Sequence, residues 1–267
     1  MAKSFHRMDM LMMMNKQWRL LASFFCLSLL TPALAAQTPA AAPAAQPAAT
    51  AAIPAGLKPF IAKYQVLRSG KVHGDAERYL KPWGQGFELG YKSNISWLIF
   101  KDERHERSRF VLKDGRLQPF FYQLKRWGTG SGRHYELNLD WSKRELQTGK
   151  EKTPKQVTWN DLWLDQLSYH SQLVVELAAG QTEFNFTVLT RHGDSRTYQY
   201  KVTGEELLSL PAGKLKTIRI ERVGKNLDKQ VVAWVAPELD YLLVKLWQAE
   251  DKVEQFDVQL QSYQLIN

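Results

Sequence analysis

Few side chains in this sequence have the types and spacing that chemistry requires. Beyond residue 35 there are five histidines, His73, His105, His134, His170 and His192, and they make neither an H-x-H nor an H-E-x-x-H spacing. The only cysteine is Cys26, so a zinc site would need ligands gathered from separate strands. No metal and no cofactor is expected. The segment Lys101-Asp102-Glu103-Arg104-His105-Glu106-Arg107-Ser108-Arg109 is richer. On a strand, alternation sets Asp102, Arg104, Glu106 and Ser108 on one face and Glu103, His105, Arg107 and Arg109 on the other. Acid–base catalysis would need one of these groups to converge on a substrate with a shifted pKa. Ion pairing with neighbouring strands is the simpler expectation. Gly128-Thr129-Gly130-Ser131-Gly132-Arg133 has the glycine content of a phosphate loop but lacks its Gly-Lys-Ser/Thr ending, and it joins two strands. There is no Gly-x-Ser-x-Gly elbow. The expectation is a protein that is not an enzyme.

The aromatic side chains are a better lead. Eight of the nine tryptophans follow residue 35: Trp83, Trp97, Trp127, Trp141, Trp159, Trp163, Trp234 and Trp247. Each alone is a core residue by default; together they could line an apolar groove or face sugar rings. Trp97-Leu98-Ile99-Phe100 does not alternate, and reads as a strand covered on both faces or as an exposed edge.

Elements must position these groups. Period-two alternation dominates: Tyr135, Leu137, Leu139 and Trp141; Phe184, Phe186 and Val188; Tyr198, Tyr200 and Val202; Phe256, Val258 and Leu260. Such strands bury one face and wet the other, the antiparallel arrangement. Turns are expected at Lys113-Asp114-Gly115, Gly128–Gly132, His192-Gly193-Asp194, Pro211-Ala212-Gly213 and Glu250-Asp251-Lys252. This spacing implies roughly ten to thirteen strands. From Asp161 to Ala179 the pattern changes to a helical stripe of Trp163, Leu167, Val174 and Leu177, completed by His170. Asn160 or Asp161 can cap its start, and Gly180 can close its end. The fold expected is all-β dominated with one long α-helix. The antiparallel sheet should curve strongly, as a half-open or closed barrel, with the helix on its concave side or mouth. Trp163, Leu167, His170 and Val174 are then the candidate ligand-binding residues. A hydrogen-bonded core histidine is the simpler reading of His170.

The 267 residues carry a formal net charge of +9. Residues 1–35 read as a secretory signal: Lys16 and Arg19, an apolar run from Leu20 to Leu30, then Thr31-Pro32-Ala33-Leu34-Ala35. Cleavage is expected after Ala35, and translation from Met14 would give a more compact signal than from Met1. The apolar run is too short to span a bilayer, which takes about 20 residues, and no integral membrane protein is expected. Removing residues 1–35 takes away four cations, one anion and Cys26, leaving +6. Residues 36–56 are rich in Ala and Pro and free of charge, a disordered linker. A single β-rich domain occupies 57–267. The expected compartment is the periplasm, where nucleic acid is not a partner and a lipid or other envelope component is. A monomer is expected.

Several stretches together point to a family. Asp165-Gln166-Leu167-Ser168, Leu173…Leu177-Ala178-Ala179-Gly180, Leu210-Pro211-Ala212-Gly213-Lys214 before Ile218-Arg219-Ile220-Glu221-Arg222, and the closing run from Trp234 to Lys245 are four of them. Gly70…Gly74-Asp75-Ala76 and Phe110–Pro119 are two more. In order and over nearly all of 57–267, the chain resembles the bacterial domain-of-unknown-function family 3108. The resemblance implies an exported Gram-negative protein of one β-rich domain with no established activity. Two functions of different class follow. The first is binding of an apolar or amphipathic envelope ligand, a lipid or acyl chain, between sheet and helix. The second is a protein–protein interaction or envelope-maintenance module with a solid core and no small-molecule ligand.

Overall fold

The structure is a computed structural model that describes residues 53–266, apart from 131, 150–153, 156 and 225–228. The expected signal peptide, and the linker up to residue 52, lie outside the described residues. The first half of the fold is a run of hairpins: β1 (Phe60–Arg68), β2 (Lys71–Trp83), β3 (Gly86–Trp97), β4 (Phe100–Lys113), β5 (Arg116–Gly128), β6 (Arg133–Asp140) and β7 (Glu145–Thr148). Next come β8 (Trp163–Leu164) and the helix α1 (Ser168–Ala178). The second run is β9 (Glu183–Leu189), β10 (Ser195–Leu210), β11 (Gly213–Val223), β12 (Lys229–Ala236), β13 (Leu242–Glu250) and β14 (Val253–Leu265).

All the strands join one sheet in the order β7-β6-β5-β4-β3-β2-β1-β14-β13-β12-β11-β10-β9-β8. The first and last strands pair at its middle, so two meanders meet there. Neighbours are antiparallel except β8 with β9, as hairpin connections require. Tight turns set the register. Asp114-Gly115 has φ of 51° and 75°, and Asp251-Lys252 has 49° and 63°, the left-handed pair that matches strand twist. All five turns expected from sequence join consecutive strands.

Register shifts at Lys63/Tyr64, Arg109/Phe110, Val202/Gly204 and Trp234/Val235 bend the strands. The degree of curling follows from α1, which packs against both β5 and β9. Those strands are ten places apart in the sheet. At about 4.8 Å per strand they would be about 48 Å apart if the sheet were flat, yet a helix about 10 Å across touches both. The sheet therefore wraps around α1. It is not closed: β7 and β8 are its edges. Of the half-open and closed forms expected, the curved, unclosed one is found.

The core has two parts. The larger surrounds α1 and includes Leu80, Phe110, Leu137, Leu173, Phe186 and Ile220. The smaller includes Tyr64, Leu215, Trp234, Val244 and Leu260.

Two expectations are corrected. The helix begins at Ser168, not near Asp161, because Trp163 and Leu164 pair with Thr187 and Val188 as a short parallel strand. Trp97–Phe100 is neither a doubly covered strand nor a sheet edge. It is the β3–β4 hairpin tip, where Leu98 and Ile99 are 85% and 82% exposed.

Candidate functional site

The helix is set in place by its own ends. Asp165 Oδ1 accepts hydrogen bonds from the N–H groups of Leu167 and Ser168, both at 2.8 Å, while Asp165 N–H donates to Ser168 Oγ at 2.9 Å. This reciprocal arrangement resembles a capping box set one turn ahead of the helix. Asp165, rather than Asn160 or Asp161, therefore organises the turn that leads into the helix, whose N-cap position is Leu167. At the other end Gly180, at φ 91°, donates to Leu177 O, and Gln181 donates to Glu176 O. That pairing is a Schellman motif, which only a residue free to enter the left-handed region closes cheaply. Two buried bonds tie the helix to one wall of the sheet. Ser108 Oγ donates to Asp165 Oδ2 at 2.5 Å, and Leu117 N–H donates to Gln172 Oε1 at 2.8 Å.

Held against β4, β5 and β9, α1 leaves a gap to the opposite wall. The gap is a narrow cleft of about 800 Å³ when the open solvent at its mouth is included. Ile220 of β11, Val231, Ala233 and Val235 of β12, and Leu243 and Leu246 of β13 form the sheet side. Tyr169, His170, Leu173 and Val174 form the helix side. At the rim, Asp240 Oδ2 accepts from Gly56 N–H and Lys58 N–H, each at 3.0 Å. Gly56, at φ 86°, comes so close to Val174 that a Cβ there would lie 2.3 Å from Val174 Cγ1. The end of the expected linker is thus tied to the rim of the cleft.

The cleft's polar groups are few and deeply placed. Arg78 of β2 is 9% exposed, and its Nε has no hydrogen-bond partner. Burial holds its guanidinium below the usual pKa, against the fields of Tyr64, Tyr169, Tyr91 and Glu106. His170 Nδ1 is likewise covered and unpartnered. Burial first, and Arg78 second, hold His170 well below the usual imidazole pKa, so the ring is neutral near pH 7. The hydroxyls of Tyr169 and Tyr200 lie 3.2 Å apart, and burial raises both phenols above their ordinary value. The cleft thus offers a cation, a neutral imidazole and protonated phenols on apolar walls.

Of the four candidate ligand residues, His170 and Val174 line the cleft. Trp163 and Leu167, each 4% exposed, belong to the core beside it. Trp163 instead stacks edge-on against Trp159, and Trp159 against Trp141, with ring centres 5.0 and 5.1 Å apart. Among the described residues the cleft lining includes none of the tryptophans, so they do not form its groove. Sequence reasoning missed Arg78. The signal was its parity: Ala76 and Leu80 are buried on the same face of β2, and a charged residue between them must point inward.

The charged run in β4 is ionic pairing, as expected. Asp102 bonds Arg126 of β5, and Arg104 lies 3.7 Å from both Asp102 and Glu106. Glu106 also accepts from Tyr122 of β5 at 2.9 Å.

An unclosed, barrel-like sheet wrapped on one helix defines the class of protein. Within it, the chain matches over residues 89–261 the family described as "Protein of unknown function (DUF3108)", and it belongs to that family. No curated protein matches the sequence. Among solved structures it is similar to the beta-barrel-like protein of domain of unknown function DUF1849 from Brucella abortus. The TM-score is 0.56 at 8% identity, covering 79% of this chain and 99% of that one, which shows a shared fold alone. A "putative lipoprotein" from Parabacteroides distasonis reaches a TM-score of 0.29 at 8% identity, covering 78% and 95%, too low to support any argument.

Proposed function

We propose that the chain is an exported, periplasmic, non-enzymatic binding protein. It takes an apolar or amphipathic envelope ligand, a lipid or acyl chain, into the cleft between α1 and the sheet. The observation that carries this reading is the cleft itself, with apolar side chains from α1 on one side and from β11, β12 and β13 on the other. Its buried polar groups are poorly suited to general base work, because the phenols stay protonated and the neutral imidazole is held far from its usual pKa.

Native mass spectrometry tests the reading on full-length chain exported and purified gently. The expected result is a polypeptide starting at Ala36 with a co-purified lipid mass. Ala233→Trp, which fills the cleft from its sheet side, should lose that mass while keeping the wild-type circular dichroism. A bare wild-type mass would count decisively against carriage.

One observation favours the alternative, a protein–protein interaction or envelope-maintenance module. Trp97, Leu98, Ile99 and Phe100 are all exposed at one hairpin tip, a surface suited to a partner. In that reading the tip makes the contact rather than a strand edge, since β7 and β8 have only four and two residues.

A further inference from the structure

We infer that the cleft is built for a ligand with an anionic head, a carboxylate or a phosphate on an alkyl chain, and that Arg78 holds that head. The inference rests on the cleft being a ligand site, and deepens that reading. Arg78 sits in the middle of β2, opposite Ala62 of β1 and Tyr91 of β3, and it lines the cleft.

Among the described residues it is the one buried Lys or Arg, and it lacks the partners that half-buried cations of this sheet have. Arg109 bonds Glu88 at 2.7 Å, and Arg126 bonds Asp102. In the register, Glu106 stands beyond Tyr91 on the same row, two strand spacings or about 10 Å from Arg78. Glu106 is already engaged by Arg104 and Tyr122. Among the described residues Arg78 forms neither an ion pair nor a hydrogen bond, and its Nε is fully covered.

A buried charge without a partner is strongly destabilising, and chains retain one where something else completes it. The guanidinium fork donates two parallel hydrogen bonds to a carboxylate or phosphate. Tyr169 and Tyr200 line the same cleft, and of their two hydrogen-bonded hydroxyls one keeps a proton to donate. An alkyl chain then has Ile220, Val235 and Leu246 to lie against.

Calorimetric titration of the delipidated full chain with laurate, dodecyl phosphate and dodecanol is the test. The two anions should bind wild type about tenfold or more tighter than dodecanol, as a charge-assisted bond provides. Arg78→Met should bring all three within about twofold of one another at the dodecanol affinity. A preference for laurate identifies a carboxylate head, and a preference for dodecyl phosphate a phosphate head; either supports the inference. Equal binding of the three to wild type overturns it and leaves the cleft reading standing. Failure of all three to bind overturns both. Ligand-free Arg78→Met should melt higher than wild type, because an unpartnered buried charge is gone. A lower melting temperature would mean that Arg78 has a structural partner, and would also overturn the inference.

Discussion

Asp165 is the residue on which the position of the helix depends. It is wholly buried, closes the turn that enters α1 and receives the Ser108 hydroxyl. Burial raises its carboxyl from 3.8 to about 6, against the opposing pull of those hydrogen bonds. An acid whose pKa is higher folded than unfolded stabilises the fold in its protonated form. That contribution is complete below about pH 4 and is lost as pH rises through about 6. Asp165→Asn keeps the oxygen that accepts from Leu167 and Ser168 but cannot ionise. Relative to wild type, the variant should gain stability between pH 4 and 6, by on the order of 3 kcal/mol at pH 7. Urea unfolding of both proteins across that range checks it, and parallel curves would refute it. The stretch Asp165-Gln166-Leu167-Ser168 thus acquires a physical reason, since its first and last residues hydrogen-bond each other reciprocally.

At the scale of elements, α1 shows what sequence could and could not disclose. Leu177 and Gly180 behave as the period and the closing glycine implied, whereas the buried face of the helix runs through Ser168, Ser171, Gln172 and Leu173 and leaves His170 and Val174 half-buried toward the cleft. The start did not, because Trp163 and Leu164 fit a helical stripe and a strand equally well, and only the distant β9 decides between them. Alternation in β6, β9 and β14 placed Leu137, Phe186 and Leu260 in the core correctly. The tryptophans misled because residue type alone does not say which face or cavity a ring occupies: Trp83, Trp97 and Trp127 are exposed, while Trp163 and Trp234 are buried away from the cleft. Gln172 illustrates a tie invisible to periodicity. A polar residue on the helix is fully covered because its oxygen accepts from Leu117 N–H, a strand donor that β6 does not reach. Gln172→Leu should strand that buried donor and cost about 1–3 kcal/mol, read as a lower urea midpoint. Amide exchange at Leu117 should quicken with it. An unchanged midpoint would mean that the bond is replaceable.

On the scale of the whole molecule, the question is what holds an unclosed sheet in a nearly closed shape. The strand order ends at β7 and β8, with Lys155 adding one antiparallel bridge to Leu146 of β7, and side chains join the two ends of the sheet. Lys155 Nζ donates to His192 O at 3.1 Å, and the Arg191 guanidinium lies 5.0 Å from the centre of the Tyr135 ring. Between them Gly193, at φ 85°, fits where a Cβ would sit 3.2 Å from both Leu146 and Thr148. Gly193→Val combines that crowding with a left-handed backbone that costs a β-branched residue about 1–2 kcal/mol. It should therefore loosen this seam first. Hydrogen exchange should accelerate in β6, β7 and the β9–β10 hairpin, while the β1–β14 pairing at the middle of the sheet keeps its wild-type rate. If protection fell equally everywhere, the seam would be part of one cooperative unit with the sheet. If it falls locally, the wrap around α1 can relax at one line without melting. The cleft wall formed by β11, β12 and β13 lies on the far meander from β6 and β7. Opening there would widen the space between α1 and that wall, so the ligand proposed for the cleft should leave the variant faster at unchanged global fold.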